Sequence, residues 1–167
     1  MSNTEKTYPV RSIGRLKTQH LTIENMPIQP SGAANMKGIA ELYPEYAEGL
    51  TDLEGFSHII LLYYFHQNKG YKLKVKPFMD NKEHGIFATR SPRRPAGIGM
   101  SIVKVLKVTG TSIEFEGADM LNSTPLLDIK PFFRQSDNRP DAISGWLDEK
   151  DDDLVISTRS DDRFKNE

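Results

Sequence analysis

The chain has 167 residues, with 22 lysines and arginines against 23 aspartates and glutamates and a formal net charge of -1. That balance excludes capture of a polyanion by bulk attraction, so any nucleic-acid surface has to be a local basic patch. No cysteine is present and the four histidines are scattered, which excludes a disulfide framework and thiolate metal sites and leaves no metal expected. The length suits one domain with its own core. Met1-Ser2-Asn3-Thr4-Glu5-Lys6 lacks an apolar leader core, and no window approaches the roughly 18 apolar residues of a membrane span. The expectation is a soluble, cytoplasmic protein with no membrane partner.

Val10 to Leu16 reads as an opening strand, followed by Met26 to Gly32, where two prolines and a glycine exclude regular structure. Gly38 to Leu42 alternates like a strand, and Pro44 opens a short helix ending near Gly49. Although Ile39, Leu42, Tyr43 and Tyr46 have helical spacing, a long helix would enclose Pro44 and lose a backbone donor there. His58 to His66 is almost continuously apolar and aromatic, the pattern of a central strand buried on both faces. Tyr71 to Pro77 alternates strictly, predicting a surface strand with Lys72, Lys74 and Lys76 in water.

Ile98 to Val108 and Ser112 to Glu116 predict two strands joined by a turn at Gly110, a hairpin. Leu126 to Phe132 reads as a last core strand. Beyond Phe133, polar residues and the acidic run Asp148 to Asp153 around a single Trp146 predict a solvated arm. Many short strands with one short helix point to a mainly β fold, a small barrel.

Between the strands, Gly85 to Ser101 breaks from an apolar pattern into arginines, prolines and glycines. Pro92 and Pro95 restrict the backbone while Arg90, Arg93 and Arg94 offer planar forks for carboxylate or phosphate, which makes this a binding loop. His66 precedes the polar turn Gln67-Asn68-Lys69-Gly70 and is a better site candidate than His58, which reads as a strand-end residue. Asp119 and Asn122 flank Met120-Leu121 in another loop, where their bland role is turn capping. Asp128 and Lys130 share a strand face and can pair beside a cleft. A phosphate loop, a nucleophile elbow and a zinc-binding His-Glu-x-x-His are all absent. Gly97-Ile98-Gly99 lacks a third glycine and precedes a strand, so a doubly wound dinucleotide fold is rejected.

Asp52-Leu53-Glu54-Gly55-Phe56-Ser57-His58, Phe65-His66-Gln67, Gly85-Ile86-Phe87-Ala88-Thr89-Arg90-Ser91-Pro92 and Thr124-Pro125-Leu126-Leu127-Asp128-Ile129-Lys130-Pro131 occur in the order seen in one known family. On these segments the chain resembles the TsaA-like family, S-adenosylmethionine-dependent methyltransferases that act on threonylcarbamoyl-adenosine next to the tRNA anticodon. The likeness covers residues 8–135, leaving 136–167 as a C-terminal arm. It implies a small homodimeric β-barrel that holds S-adenosyl-L-methionine in an all-β pocket. By family position, Gln29, Pro30, Ser31, His66, Gln67, Arg90, Met100, Gly117, Ala118, Asp119 and Met120 would bind the cofactor.

Phosphate contacts are expected from Arg93, Arg94, Lys72, Lys74 and Lys76, and Asp128 and Lys130 join Arg93 and Arg94 as substrate-binding candidates. Methyl transfer is a displacement governed by alignment, so no covalent intermediate is expected. The chain departs from the family's Arg-Pro-Asn-Pro-Ile-Gly at Arg94-Pro95-Ala96-Gly97-Ile98-Gly99, and from its Asp-Gly-Thr at Asn122-Ser123-Thr124. The altered loops and near-zero charge keep an alternative open: a cofactor-binding module, or a methyltransferase for a substrate other than tRNA.

Overall fold

The computed structural model describes residues 6–163; Met1 to Glu5, within the stretch read for a leader, and residues 164–167 lie outside the described residues. Strands β1 (Gly14–Lys17), β2 (Lys37–Leu42), β3 (His58–Tyr64), β6 (Ile98–Thr109), β7 (Ser112–Glu116) and β8 (Thr124–Pro131) close a barrel in the order β1-β2-β7-β6-β3-β8. Two short strands, β4 (Lys74–Val75) and β5 (His84–Gly85), form a separate ribbon. All barrel pairs are antiparallel.

Alternation selects which side chains enter the barrel. Leu16, Ala40, Leu42, Ile59, Leu61, Tyr63, Val103, Ile113, Phe115 and Leu126 fill it, and each is buried. Fully burying a leucine or isoleucine contributes roughly 1.5–3 kcal/mol, so this layer holds the strands in register. β1 completes the ring by pairing Leu16 with Ala40 on one side and with Thr124 on the other.

Two cross-strand pairs set a glycine under an aromatic ring. Gly38 lies opposite Phe115 and Gly99 opposite Tyr63, and a Cβ at either glycine would fall inside the facing ring's van der Waals envelope. The missing side chain gives each ring room inside the barrel.

One end of the barrel is plugged by 3-10 turns at Pro44–Leu50 and Leu53–Gly55, which bury Leu50 and Leu53. The other end, at the start of β6 and β8 and the end of β3, is left to loops.

The expected strands match the barrel closely, with four differences. β1 opens at Gly14 and not at Val10. β3 is not buried on both faces: Ile59, Leu61 and Tyr63 point inward while Ile60 and Leu62 stay partly exposed outside, because a barrel strand has only one packed side. It also ends at Tyr64, so His66 belongs to the following turn. Of Tyr71 to Pro77 only Lys74 and Val75 pair; Val75 is buried but Leu73 is exposed, so the alternation holds for one apolar side chain and fails for the other.

The tail is exposed over most of its length, as expected of a solvated arm, but it does not run free. After α1 (Arg134–Asp137) it returns to the open barrel end through a 3-10 turn at Gly145–Glu149 and α2 (Asp152–Ser157). There Arg159 bridges to Pro27, Ser160 N–H donates to Met26 at 2.8 Å, and Trp146 stacks on His84 with ring centroids 4.4 Å apart.

The Gly99 and Tyr63 pair gives a direct test. Gly99→Ala should lower stability by about 1–3 kcal/mol, the range for overpacking a filled core, whereas Gly49→Ala, whose added carbon meets nothing within 4 Å, should stay within about 0.5 kcal/mol of the parent. Urea unfolding of both variants checks the contrast.

Candidate functional site

The open barrel end holds a cavity of about 1200 Å³. Its walls come from the loop after β1, the turn after β3, the arginine loop, the start of β6, the loop before β8 and the C-terminal arm. A volume of this size suits a ligand of cofactor dimensions. A smaller apolar groove of about 640 Å³ lies at the plugged end.

The cavity floor carries a chain of polar groups. Tyr63, nearly buried on β3, shares a 2.9 Å hydrogen bond with the fully buried Ser101 of β6, whose hydroxyl donates to Asp119 Oδ1 at 2.7 Å. Ser101 reaches Asp119 because β6 alternates, sending Gly99 and Ser101 inward and Met100 outward. Burial pushes the Asp119 carboxyl up to about 7, against the opposing pull of the Ser101 hydroxyl, its own backbone and the Arg90 charge. The same burial raises the Tyr63 phenol, with the Asp119 charge adding to it.

Arg90 therefore lies close enough to act electrostatically on both groups. It is itself exposed, a cation at the wall facing an acid at the floor. Such a pair complements an α-amino acid zwitterion: the guanidinium suits the carboxylate and Asp119 suits the ammonium group.

The structure brings many of the expected residues together. Gln29, Pro30, His66, Gln67, Arg90, Met100, Asp119 and Met120 all line the cavity, as does Arg94. Gly117 and Ala118 lie buried behind Asp119, tied by their N–H groups to the Met36 carbonyl, so they shape the wall from behind. Ser31 stands exposed on the 3-10 turn Pro30–Ala33 beside the lining.

Three substrate candidates stand elsewhere. Arg93 is 5% exposed, turned inward by the restricted loop instead of toward phosphate. Asp128 and Lys130 pair with each other at 2.7 Å on the outer barrel face, because a bulge between Leu62 and Tyr63 sets the second half of β8 outward at these positions. His58 is exposed at the opposite end of β3, bonded to Ser57, and Asn122 ties the loop before β8 to the end of β1 by accepting from Thr18 N–H at 3.1 Å.

Sequence reasoning missed the arm. Ser144, Trp146, Leu147, Asp148, Lys150 and Asp152 all border the cavity. Trp146 Nε1 donates to the Ala88 carbonyl at 2.8 Å, while Lys150 and His84 flank Asp80 at 3.2 Å and 2.9 Å. His84, ahead of Lys150 and the local backbone N–H groups, holds the Asp80 carboxyl well below its usual range. The legible signs were Trp146 and the apolar Leu147 and Val155, which stand among polar residues and also border the cavity. Tyr63 and Ser101 were missed too, since alternation marks an inward side chain without naming its partner.

Among the described residues there is no group of three or more histidines, aspartates or glutamates placed to hold a metal ion. No helix there is long and apolar enough to cross a membrane.

Residues 15–138 match the family model of the tRNA-methyltransferase O N-terminal domain. The chain belongs to this family. It is 43% identical over 154 residues to a Pyrococcus abyssi protein named Probable S-adenosyl-L-methionine-binding protein, covering 92% of this chain and 83% of that one. With the human tRNA (adenine(37)-N6)-methyltransferase it shares 35% identity over 143 residues, 81% of this chain and 32% of that one. The crystal structure of TrmO from Pseudomonas aeruginosa superposes with a TM-score of 0.71 at 34% identity, covering 84% of this chain and 63% of that one. The chain thus spans most of the Pyrococcus protein but less than two thirds of the other two.

Asp119 makes stability depend on pH in a definite direction. Its folded value of about 7 lies above the ordinary 3.8, so the folded state holds the proton more tightly and stability declines as pH rises between those values. Asp119→Asn should remove that decline and melt higher than the parent above neutral pH. Thermal unfolding across the range checks it, and parallel curves for the two proteins would contradict it.

Proposed function

We propose that this chain transfers the methyl group of S-adenosyl-L-methionine to N6 of an adenosine beside the tRNA anticodon, the threonylcarbamoylated base being the favoured target. The observation that carries this reading is the opposed pair of Arg90 and Asp119 at a cavity of cofactor size, in a chain of the tRNA-methyltransferase family. When bound, the cofactor supplies an electrophilic methyl on its sulfonium. Arg90 and Asp119 would orient its amino-acid end, while Gln29, Pro30, Met100 and Met120 offer the polar and apolar edges suited to an adenosine. His66 and Gln67 stand at the rim, beside the entrance. Nothing in this arrangement needs a protein nucleophile, because displacement depends on holding two partners in line.

Two copies of the chain are part of the proposal. On the outer face of β3 and β6, Ile60 pairs with Ile102, Leu62 with Met100 and Tyr64 with Ile98. These residues form an apolar band, of which Tyr64, Ile98, Met100 and Ile102 are exposed. Met100 belongs both to this band and to the cavity wall, so a copy seated there would finish the wall. Ile102→Lys should shift sedimentation toward the monomer while leaving the β-rich circular dichroism unchanged.

A second reading draws on the acidic arm. Asp148 and Asp152 border the cavity and oppose an approaching phosphate, which favours a cofactor-binding module or a substrate other than tRNA. Transfer of labelled methyl to bulk tRNA from a strain lacking the modification decides between them. Nucleoside analysis then identifies the product, and cofactor binding without label in RNA would favour the second reading.

Cofactor binding should itself report the zwitterion contacts. Arg90→Ala should weaken it by about 1.5–3 kcal/mol, the range for hydrogen bonds to charged groups, with Arg90→Lys restoring only part. In the parent, affinity should fall as pH drops through about 7 and Asp119 takes up its proton. Asp119→Asn should bind weakly and with no such step, as measured by calorimetric titration.

A further inference from the structure

The cavity wall contains several aromatic side chains, and all but one are at least partly covered. Tyr63 is buried, and Phe65, Phe78 and Trp146 are partly so. Phe87 is 76% exposed. An apolar ring so placed forfeits the free energy of burial, and a loose loop would let it fold down onto the surface.

This loop is not loose. Phe87 is the middle residue of a 3-10 turn, Ile86–Ala88. Ile86 is buried, and its N–H donates to the Leu73 carbonyl at 2.9 Å. Its own carbonyl accepts from Thr89 Oγ1 at 2.9 Å and from Arg94 Nη1 at 3.2 Å. Arg94 Nη1 also donates to the Thr89 carbonyl at 2.6 Å, and Trp146 Nε1 holds the Ala88 carbonyl at 2.8 Å. The turn is pinned from the ribbon, the arginine loop and the arm at once, and the ring it presents stands in water. Its cationic neighbour is Arg94, whose guanidinium carbon lies 6.0 Å from the ring centroid, at the outer limit of a cation–π contact.

Phe87 follows β5 by two residues, and β5 pairs with β4 through Gly85 and Lys74. Lys72, Lys74 and Lys76 are exposed along that ribbon, so the ring stands between the cavity and a basic track. Glu83 is exposed on the same side, whereas Asp80 is engaged by His84 and Lys150. A fixed exposed aromatic beside an arginine and a lysine track is the arrangement that receives an unstacked base and its backbone.

We propose that Phe87 is a stacking platform for an unpaired base of the RNA substrate, with Arg94 and Lys74 beside the flanking phosphates. The proposal rests on the RNA reading above and adds to it where the strand leaves its own stack before entering the cavity.

The test uses the full chain and bulk tRNA, comparing Phe87→Ala, Phe87→Leu and Phe87→Trp with the parent. Direct binding is measured over a salt series, cofactor affinity by calorimetry and mass by sedimentation. Loss of one stacked base should weaken tRNA binding roughly ten- to hundredfold in Phe87→Ala. The salt slope should stay unchanged, because no phosphate contact is removed, and an unchanged β-rich circular dichroism certifies the fold. Phe87→Leu, apolar but not aromatic, should fail to restore binding. Phe87→Trp should restore it, and its added fluorescence should quench on tRNA.

Equal tRNA affinity in the parent and Phe87→Ala would overturn the platform while leaving the RNA reading intact. So would full rescue by leucine, or a change of mass in Phe87→Ala without a change in tRNA binding, which would mark an interface between copies instead. A parent that binds cofactor but no tRNA would overturn the RNA reading itself.

Discussion

Closure of the barrel through β1 is the constraint on which the site depends. Four residues, Gly14–Lys17, satisfy the edges of both β2 and β8, leaving no free edge in the ring. A six-stranded ring is narrow enough to be filled by its own side chains, and the buried layer from Leu16 to Leu126 fills it. A ligand therefore cannot enter between the strands. It has to be held at an end, and because one end is plugged by the turns around Leu50 and Leu53, the large cavity opens among the loops at the other.

Those loops gain rigidity from the core beneath them. Tyr63 lies over Gly99 and reaches Ser101, which fixes one oxygen of Asp119. A carboxylate held this way in a desolvated setting is poorly stabilised when ionised and gains sharply from an incoming cation. Its raised proton affinity follows from that desolvation, which the Ser101 hydroxyl and the Arg90 charge only partly offset. Arg90 at the wall supplies the opposite sign without closing onto Asp119 as a salt bridge, so both charges remain disposed toward the cavity.

The barrel was legible because its signal is local. Apolar alternation with period 2 across Gly38 to Leu42, Ile98 to Val108 and Ser112 to Glu116 corresponds directly to the inward layer. Tyr71 to Val75 shows the limit of that reasoning, since the same alternation occurs outside the barrel, where Val75 is buried but Leu73 is exposed and only two residues pair. The arginine loop was legible as a binding loop, but its three guanidinium groups were not separable. Arg90 faces the cavity, Arg94 ties the loop to its own carbonyls and Arg93 is buried. Which of three neighbouring arginines turns inward depends on backbone directions set by Pro92 and Pro95 together, and spacing alone carries no sign of it. The arm was illegible for a related reason: its anchors, Trp146 to Ala88 and Arg159 to Pro27, span long stretches of chain and have no periodic trace.

The near-zero net charge conceals a close mixture of signs at the cavity mouth. Arg90 and Arg94 border it, and the arm that brings Asp148, Asp152 and Asp161 also brings Lys150. The arm lies against the β4–β5 ribbon through the Trp146 ring on His84 and Lys150 on Asp80, and Asp161 holds Arg163, which donates to the Pro77 carbonyl. At physiological ionic strength charges are screened over about 8 Å, so a polyanion at the mouth would meet the local balance of these groups and not the net charge of the whole chain.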